Sequence, residues 1–408
     1  MNDRNWISTR LGKEVQLHGG GAFPSKDSSE DGIRWLKIAN VGINTTKWDV
    51  QDYLPDNYLE LFPQFLLNSG DVVMALTRPI LNNKLKIARL NEADVPSLLN
   101  QRVGKVITSK DNDISFIYYL LQSSEIVFRL QQAMAGTDPP NLGYSTFKKI
   151  PITLPPLPEQ RKIAEILSTW DKAIKKLDQL IEKKKLLKKG LMQQLLTGKK
   201  RFPGYMKPWK EVRLGEIGEL KNGINKDKEF FGEGSPFVNL QDVFGVSAIT
   251  KIPKGLVKTS QADRINYGLK RGDVLFIRSS VKPTGVGLTA VVDFDLEEIV
   301  FSGFLIRFRI YPELIDFGFR RYCFSSDKCR NEVLRKSTVS ANTNINQQSL
   351  MKVPLLLPCL EEQAKIAEVL SSCDYEIELI QNKRNIVFDQ KKGLTQQLLT
   401  GKIRTVHE

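Results

Sequence analysis

Histidine and cysteine are scarce in this chain, and the common catalytic motifs are missing. Its 408 residues include two histidines, His18 and His407, and four cysteines, none of which forms a C-x-x-C pair. The ligand spacing of a zinc site is therefore lacking. The sequence also has no Walker G-x-x-x-x-G-K-S/T, no dinucleotide-binding G-x-G-x-x-G and no H-E-x-x-H. We predict that the chain has no catalytic residues and holds no metal, and we interpret both histidines as surface residues.

Long hydrophobic runs are also missing. No apolar stretch approaches the ~20 residues of a membrane-spanning helix, and the starting sequence Met-Asn-Asp-Arg-Asn-Trp lacks the apolar core of a signal peptide. The few cysteines are typical of reduced thiols in a reducing compartment. The expectation is a soluble, cytoplasmic protein without a membrane partner.

Positive charge is the main excess. Lys and Arg number 60 against 46 Asp and Glu, a formal net charge of +14. Such an excess favours a polyanionic partner, most often nucleic acid, although charge that serves only solubility is the alternative. Hydrophobic residues at 41% and charged residues at 26% are typical of a globular protein. The length predicts two or three domains.

A long segment occurs twice in the sequence. Residues 150–201 recur at 353–404, a shift of 203 positions, and from Glu159 to Arg201 22 of 43 positions are identical without a gap. The segments before each copy are far less alike. One repeated scaffold that carries two divergent modules indicates two different readers in one chain.

The repeat divides the chain into four blocks. We predict a mixed module at 1–147, a central long helix with its entry loop at 148–201, a second mixed module at 202–350 and a C-terminal long helix at 351–408. The fold class is α+β, with the two helices packed as an antiparallel coiled coil and an internal pseudo-two-fold. In each module a Gly-Asp pair precedes an alternating β-branched run, which predicts a turn into a strand.

The two helices are predicted from their apolar spacing. Pro158 suits a first turn, and no Gly or Pro follows until Gly190, so about thirty residues of helix would span ~45 Å. Apolar residues recur at heptad spacing, at Ile163, Ile166, Trp170, Ile174, Leu177, Leu180, Ile181, Leu187, Leu191 and Leu195, and again at 366, 369, 370, 377, 380, 387, 394 and 398.

Charge indicates how the helices run. The first helix ends in a basic cluster, Lys183 to Lys189, and the second begins with carboxylates from Glu361 to Glu378. An antiparallel pair places the basic end beside the acidic beginning. Each exposed ion pair contributes only about 0.3–0.5 kcal/mol, so the charges favour this direction without fixing it.

Two short motifs could signal other chemistry. Asp138-Pro139-Pro140-Asn141 is similar to the Asp/Asn-Pro-Pro-aromatic motif that holds a flipped base in amino-methyltransferases, but Asn141 replaces the stacking aromatic. We interpret it as a rigid turn that leads into Asn141-Leu142. Gly19-Gly20-Gly21 opens no helix and lacks a Lys-Ser/Thr partner, so we interpret it as a flexible loop and not as a phosphate cradle.

The repeated Pro-x-Leu-Pro-x-x-Glu-Gln-x-x-Ile-Ala and Gln-Gln-Leu-Leu-Thr-Gly-Lys segments resemble the specificity (S) subunit of Type I restriction–modification enzymes over the whole chain. A signature before each long helix supports the resemblance: Ser337-Thr338-Val339 to Asn344-Ile345, with Leu350 to Pro354. The counterpart runs from Gly136-Thr137 to Asn141-Leu142, with Phe147 to Pro151, and departs at Asp138-Pro139.

The resemblance implies a subunit that does no chemistry and binds no cofactor. It implies two target-recognition domains that each read half of a bipartite, asymmetric DNA site, with helices that set the spacing. It also implies two docked modification (methyltransferase) subunits that use S-adenosylmethionine to methylate adenine, and restriction subunits driven by ATP and magnesium. A half-site separation near one DNA turn, about 34 Å, suits two domains on one face of the duplex.

The base-reading residues are predicted from polar runs that follow each Gly-Asp strand. Arg, Lys, Asn and Gln are the side chains that read base edges. The candidates are Arg78, Asn82, Asn83 and Lys84 with Thr77 in the first module, and Arg278, Ser279, Ser280 and Lys282 with Thr284 in the second. The alternative is that these are solvated loops. Gln101-Arg102, which is similar to an Asn-Gln-Arg element of the family, is a candidate structural element.

Other assignments stay open at this point. The Lys183–Lys189 cluster could contact phosphates, or it could be the solvated, partner-facing side of the coil, which we favour. The whole chain could be a stand-alone DNA methyltransferase with its own target domain, for which binding of S-adenosylmethionine would be diagnostic. It could also be a coiled-coil adaptor that binds protein alone, and such an adaptor would show no preference among DNA sequences.

Overall fold

The chain forms two compact units in the computed structural model, which describes residues 6–136, 139–295, 298–339 and 342–405. Unit 1 comprises Met1–Lys176 and Lys383–Glu408, and unit 2 comprises Leu177–Asn382. The boundary between the units falls inside both long helices. Each unit therefore contains one α+β module, the first half of one long helix and the second half of the other.

Within its described residues the first module contains twelve strands and five short α-helices, and it leads into the first long helix. The strands are β1 (Ile7–Arg10), β2 (Val15–Gly19), β3 (Ile33–Leu36), β4 (Tyr53–Leu54), β5 (Leu66–Leu67), β6 (Val72–Ala75), β7 (Ile80–Leu81), β8 (Lys84–Leu85), β9 (Ile87–Arg89), β10 (Ser97–Leu99), β11 (Val103–Thr108) and β12 (Pro151–Leu154). The helices are α1 (Leu11–Glu14), α2 (Tyr58–Leu61), α3 (Ile114–Leu121), α4 (Ser124–Ala133), α5 (Tyr144–Lys149) and the long α6 (Leu157–Leu195).

In the part that the structure describes, the second module contains thirteen strands and six short α-helices, and it leads into the second long helix. The strands are β13 (Lys210–Arg213), β14 (Gly218–Asn222), β15 (Phe231–Val238), β16 (Ala248–Ile249), β17 (Leu256–Val257), β18 (Val274–Ile277), β19 (Ser279–Ser280), β20 (Thr289–Val292), β21 (Val300–Phe301), β22 (Leu305–Ile310), β23 (Thr338–Val339), β24 (Thr343–Asn344) and β25 (Pro354–Leu357). The helices are α7 (Leu214–Ile217), α8 (Leu240–Val243), α9 (Gln261–Tyr267), α10 (Arg320–Cys323), α11 (Asp327–Arg335), α12 (Gln347–Met351) and the long α13 (Leu360–Leu399).

Each module is closed by pairing its first strand with its last. β1 pairs antiparallel with β12, with Ile7 opposite Leu154, and β13 pairs antiparallel with β25, with Lys210 opposite Leu357. These two registers are related by the shift of 203 residues seen in the sequence. Between the closing strands the sheets differ: the first module has sheets in the orders β4-β3-β10-β5 and β2-β11-β6-β9, and the second has β14-β22-β18-β20-β16 and β17-β15-β21. The repeat is thus preserved where each module joins its long helix, and the two modules diverge in their sheets.

Both Gly-Asp pairs form the predicted turns into strands. Gly70 and Gly272 have left-handed φ values of 91° and 90°, which suit glycine because other residues meet a Cβ clash there. The carboxylates of Asp71 and Asp273 accept hydrogen bonds of 2.8 Å from the backbone N–H groups of Asn68 and Lys270. Each turn leads into a fully buried strand, β6 or β18.

The glycine run at 19–21 is not the predicted loop. Gly19 ends β2, and a Cβ on Gly20 would lie 2.0 Å from the carbonyl oxygen of Leu99. The second module repeats this approach, because a Cβ on Gly223 would lie 2.2 Å from the carbonyl oxygen of Ser302. Glycine at these positions lets two backbones pack directly together.

Both long helices continue through a glycine. α6 has 39 residues and α13 has 40, and they include Gly190 and Gly393 respectively. The first helix therefore includes Leu191 and Leu195, the last two residues of the predicted apolar stripe. A glycine inside a helix costs about 1 kcal/mol relative to alanine, but Leu195 and Leu196 are buried in the core of the second module. Each buried leucine contributes about 1.5–3 kcal/mol, which outweighs that cost.

Ion pairs confirm that the helices run antiparallel. In unit 2 Lys184 pairs with Glu376 at 2.6 Å, and Lys188, one turn later in α6, pairs with Asp374, which is earlier in α13. In unit 1 Lys391 pairs with Asp171 at 2.5 Å. The residue number in α13 falls as the residue number in α6 rises, so the predicted antiparallel direction is correct.

The apolar stripe is less continuous than the heptad pattern indicates. Ile163, Ile174 and Ile181 are buried, whereas Leu180 and Leu187 are 40% and 53% exposed. Lys184 and Lys188, which form ion pairs with α13, lie between the buried Ile181 and Leu195. The coil therefore alternates apolar and charged contacts along its length.

A tyrosine anchors each module to the long helices. The hydroxyl of Tyr119 in α3 donates to Asp171 Oδ2 at 2.7 Å, and the same carboxylate accepts from Lys391. In unit 2 Tyr322 donates to Asp374 at 2.8 Å, and that carboxylate accepts from Lys188. Burial and the neighbouring carboxylate raise the pKa of both tyrosines. They therefore remain neutral hydrogen-bond donors.

A buried glutamate at the start of each long helix forms a second repeated anchor. Both oxygens of Glu159 accept from Arg404, and Trp6 Nε1 also donates to this carboxylate, at 3.2 Å. In unit 2 both oxygens of Glu362 accept from Arg201, and Trp209 Nε1 donates at 3.1 Å. The segment that follows each long helix thus contacts the glutamate in the first turn of the other long helix.

Candidate nucleic-acid interface

The polar run of the first module forms a hairpin that projects from β6. β6 ends at Ala75, and β7 and β8 then pair antiparallel, with Leu81 opposite Lys84. Asn82 and Asn83 form the two-residue turn with left-handed φ values of 50° and 56°. Asparagine tolerates this region better than most residues, which explains the Asn-Asn sequence.

The predicted side chains of this hairpin lie at the surface. Arg78, Asn82, Asn83 and Lys84 are all exposed, and Thr77 is half-buried. Asn83 Oδ1 accepts a hydrogen bond of 3.0 Å from Gln131 Nε2 in α4, and this bond connects the turn to the helix. The structure therefore brings the four predicted residues of the first module together on one projecting hairpin.

The Pro-Pro motif holds the base of this hairpin. The carbonyl oxygen of Pro140 accepts from the backbone N–H of Arg78 at 2.7 Å, and the N–H of Leu142 donates to the carbonyl of Leu76 at 2.8 Å. Asn141 Nδ2 donates to the carbonyl of Pro139 at 3.0 Å. The motif is a turn that leads into Asn141-Leu142, as predicted, although Asp138 itself lies outside the described residues.

The polar run of the second module follows β18 in the same way but folds differently. Ser279 and Ser280 form β19, which pairs with Asn344 and Thr343 of β24. β24 also pairs with β23, so the run is one edge of a three-stranded sheet. The signature segment before the second long helix thus forms part of this surface.

The predicted residues of the second module differ in exposure. Lys282 and Thr284 are exposed, whereas Arg278, Ser279 and Ser280 are half-buried. Arg278 Nη1 donates to the carbonyl of Gly303 at 3.3 Å, so part of this guanidinium supports a neighbouring loop. The remaining donors of its planar fork could still contact a base or a phosphate.

The two interfaces share one backbone arrangement. In both modules the residues after the buried strand bond to the segment that leads into the long helix. In the first module the N–H of Leu142 donates to the carbonyl of Leu76. In the second module the N–H of Ile345 donates to the carbonyl of Arg278 at 2.9 Å. Leu142 and Ile345 are 203 positions apart and Leu76 and Arg278 are 202 apart, so the contact occurs at matching places in the two modules although it lies outside the repeated segment. The side chains that it presents differ between the modules.

Two other predicted groups serve the fold. Gln101 and Arg102 form a turn in which the N–H of Gln101 bonds to the carbonyl of Gly21 and the carbonyl of Arg102 accepts from Leu76. Of the basic cluster, Lys184 and Lys188 pair with carboxylates of α13, and Lys185 pairs with Glu182 in its own helix. Lys184 and Lys188 thus pair with the acidic first part of the second long helix, as the charges of an antiparallel pair predict.

Residues with catalytic or metal-binding chemistry are dispersed. Within the described ranges no three His, Cys, Asp or Glu side chains form a group that could hold a metal ion. His18 is exposed on β2, and His407 lies outside the described residues. Cys323 and Cys329 are buried, and burial raises the pKa of the Cys329 thiol to about 12. Among the described helices, none has the length and apolar character needed to cross a membrane.

The comparison with protein families matches both halves of the chain. The model of the Type I restriction modification DNA specificity domain matches residues 4–185 and again residues 206–387. The chain belongs to this specificity-domain family. The two matches contain the two modules described above together with the first part of the helix that follows each.

Relatives of known name agree with the family. The chain is 39% identical over 199 residues to the Type I restriction enzyme MjaVIII specificity subunit of Methanocaldococcus jannaschii, an alignment that covers 48% of this chain and 46% of that protein. It is 30% identical over 422 residues to the putative MjaX specificity subunit of the same organism, covering 98% of this chain and 94% of the relative. The first alignment thus spans about half of the relative's length, and the second spans nearly all of it.

Solved structures share the specificity-subunit fold. One chain from a study of assembly and conformational transition in a type I R-M system has a TM-score of 0.61 at 21% identity, covering 97% of each chain. The S subunit of a Type I system from M. genitalium has a TM-score of 0.56 at 16% identity, covering 98% of this chain and 97% of that one. At these identities the similarity concerns the fold.

Proposed function

We propose that this chain is the DNA-reading, non-catalytic subunit of a Type I restriction–modification complex, in which each module reads one half of a bipartite, asymmetric site. One observation carries the proposal. Both modules use the same backbone contact to present a polar segment, and the segments carry different side chains. Two identical readers would require a symmetric site, whereas two different readers select two different half-sites.

The side chains suit both parts of DNA recognition. Arg and Asn read purine edges in the major groove, and Lys and Ser commonly contact phosphates. The first segment offers Arg78, Asn82, Asn83 and Lys84, and the second offers Arg278, Ser279, Ser280 and Lys282. The net charge of +14 favours approach to the duplex and makes the affinity dependent on salt.

The long helices offer surfaces for protein partners. Several large apolar side chains of these helices are exposed in each unit. They are Leu180, Leu186, Leu187, Tyr375 and Leu379 in unit 2, and Ile386 and Phe388 in unit 1. Exposed apolar groups of this kind are typical of protein interfaces. We assign them to two modification subunits, which would supply S-adenosylmethionine chemistry on adenine.

Further subunits complete the proposed complex. Restriction subunits would supply ATP- and magnesium-dependent cleavage, and this chain itself would bind none of these cofactors. The helices would set the spacing between the half-sites. Since the proposed complex would meet its DNA inside the cell, the proposed place of action is the cytoplasm.

Methylome sequencing tests the proposal. A host would be sequenced with and without this chain, with the neighbouring modification subunit present in both. The expected result is adenine methylation at one split, asymmetric motif that disappears with the chain. If methylation does not depend on the chain and the purified complex binds all duplexes equally, the proposal is wrong and an adaptor role gains support. If the isolated chain binds S-adenosylmethionine, the stand-alone methyltransferase gains support.

A further inference from the structure

Each DNA-facing segment exposes an aliphatic side chain among its polar residues. Leu81 in β7 is 51% exposed, whereas its neighbour Ile80 packs against the core of the first module. Because side chains alternate along a strand, burial of Ile80 turns Leu81 outward. In the second module Val281 follows β19 directly and is 81% exposed. Both aliphatic residues follow a buried strand, Leu81 six residues after the end of β6 and Val281 four residues after the end of β18.

Cationic groups lie beside both aliphatic residues. Leu81 and Lys84 are direct cross-strand partners, so their side chains project from the same face of the hairpin. Val281 precedes the exposed Lys282, whose carbonyl accepts a hydrogen bond of 2.9 Å from the N–H of Gly285 and so closes a tight turn. A surface that combines a cation with an apolar tip suits a ligand that has both negative charge and an apolar group.

DNA offers such a combination in its major groove. The C5 methyl of thymine is the apolar group on the base edges there, and it lies between two phosphate backbones. The groove is about 12 Å wide and admits a two-stranded ribbon such as β7–β8. An unstacking wedge would enter through the minor groove, but the short Val281 side chain extends only one carbon beyond its Cβ. The geometry favours contact with a methyl group over insertion between bases.

We propose that Leu81 and Val281 are specificity residues that each contact the methyl group of one thymine, Leu81 in one half-site and Val281 in the other. The proposal rests on the proposed function, because it needs one half-site for each module. It adds a chemical requirement, which is that each half-site contains an A·T pair recognised through its thymine methyl.

Replacing thymine with deoxyuridine tests this inference, because it removes only the methyl group. The complex of the chain with its modification subunit would be titrated with duplexes of the mapped site, each carrying one thymine-to-deoxyuridine change. One position in each half-site is expected to lose affinity about threefold to fivefold, the effect of one buried methyl. Val281→Ala is expected to abolish the effect in one half-site, and Leu81→Ala in the other.

Matched controls use exposed aliphatic residues elsewhere in each unit. Ile265 in α9 is 75% exposed and Val50 is 64% exposed. Ile265→Ala and Val50→Ala are expected to keep the deoxyuridine effect. If the wild-type complex selects its site but no deoxyuridine position matters, or if the effect persists in the Val281→Ala and Leu81→Ala variants, the inference is wrong and the proposed function stands. If the wild-type complex does not distinguish its site from a scrambled duplex, the proposed function itself fails.

Discussion

Arginine follows the buried strand in both modules, but the two arginines differ in conformation and support. Arg78 is exposed and has a left-handed φ of 47°, a region that non-glycine residues adopt only when the surrounding contacts hold them there. Its backbone N–H is fixed by the Pro140 carbonyl at 2.7 Å. Arg278 is half-buried and donates to the Gly303 carbonyl. We therefore expect the two guanidiniums to meet DNA with different freedom.

Replacing either arginine should affect one half-site. Arg278→Ala is expected to relax recognition in the half read by the second module, by about 1–3 kcal/mol if the guanidinium contacts a base edge in bidentate fashion. Arg78→Ala should do the same in the other half. Methylation of a library of randomised sites would measure both effects. Equal loss in both halves from a single substitution would contradict separate readers.

Arg278→Lys separates the role of the planar fork from that of charge. Lysine keeps the positive charge but cannot form a bidentate contact with guanine in the same geometry. Specificity should fall as in Arg278→Ala, while non-specific binding at low salt should be retained. If Arg278→Lys behaves as the wild type, the residue contacts phosphate.

At the scale of elements, the long helices are held by two kinds of contact. Their ends are buried in the cores of the modules, with Leu195 in the second core and Leu398 in the first. Their middle parts carry ion pairs such as Lys184–Glu376, together with exposed leucines. Exposed ion pairs contribute little, so the stability of the helix pair comes mainly from its few buried positions.

A substitution at a buried position should therefore weaken the helix pair far more than one at an exposed position. Ile181 is 6% exposed, and Leu187 in the same helix is 53% exposed. Ile181→Asp is expected to lower the free energy of unfolding by about 3 kcal/mol, because it buries a carboxylate in an apolar place. Denaturant unfolding would measure it. Leu187→Asp is the control and should unfold nearly as the wild type does.

Leu187→Asp also tests whether the exposed apolar residues of the long helices bind the modification subunit. Leu187→Asp should weaken assembly with the modification subunit while leaving the fold unchanged, since it places a charge on an exposed apolar surface. Leu177→Asp, at a half-buried position, is expected to show both effects in smaller measure. Unchanged assembly of Leu187→Asp in size-exclusion chromatography would remove Leu187 from the docking surface.

At the scale of the whole molecule, the sequence repeat becomes a repeat of contacts. Trp6, Glu159 and Arg404 form in unit 1 the same arrangement that Trp209, Glu362 and Arg201 form in unit 2. The arginine comes from the segment just after one long helix, and the glutamate comes from the first turn of the other. Each unit therefore depends on both copies of the repeat, and neither copy could complete a unit alone.

Acid should weaken this contact in unit 1. Burial raises the pKa of Glu159, but hydrogen bonds from Arg404, Thr405 and Trp6 and the charge of Arg404 lower it more, so the net pKa lies below its ordinary value. A carboxylate with a lowered folded pKa contributes stability above about pH 4.3, its unfolded value, and loses that contribution as the pH falls through the folded pKa. Glu159→Gln should therefore lower the melting temperature at pH 7 and show little difference from the wild type near pH 3.

Thermal unfolding of both proteins between pH 3 and pH 7 checks this prediction. Glu362→Gln, which removes the corresponding carboxylate of unit 2, is the matched variant. Since two units need not unfold as one, calorimetry should show which transition each variant shifts. A Glu159→Gln melting curve that is lower by the same amount at every pH would contradict the assigned role of ionisation.

The sequence by itself determined the repeat, the two long helices and the turns at Gly70 and Gly272, and its charges favoured the antiparallel direction that the ion pairs establish. These features depend on local patterns: heptad spacing, opposite charges at the helix ends, and a glycine where φ must be positive. The polar segments after β6 and β18 were likewise visible as clusters of base-reading residue types.

The tertiary structure alone decided the rest. Leu195 and Leu196 are buried in the core of the second module, and Gly20 is required because the Leu99 backbone lies against it. The exposure of Leu81 and Val281 was also visible only in the structure. Each polar segment pairs with a residue more than 60 positions away, Asn141 in the first module and Asn344 in the second. Local patterns fix helices and turns because they involve near neighbours, whereas burial and close backbone approach depend on residues that only the folded chain brings together.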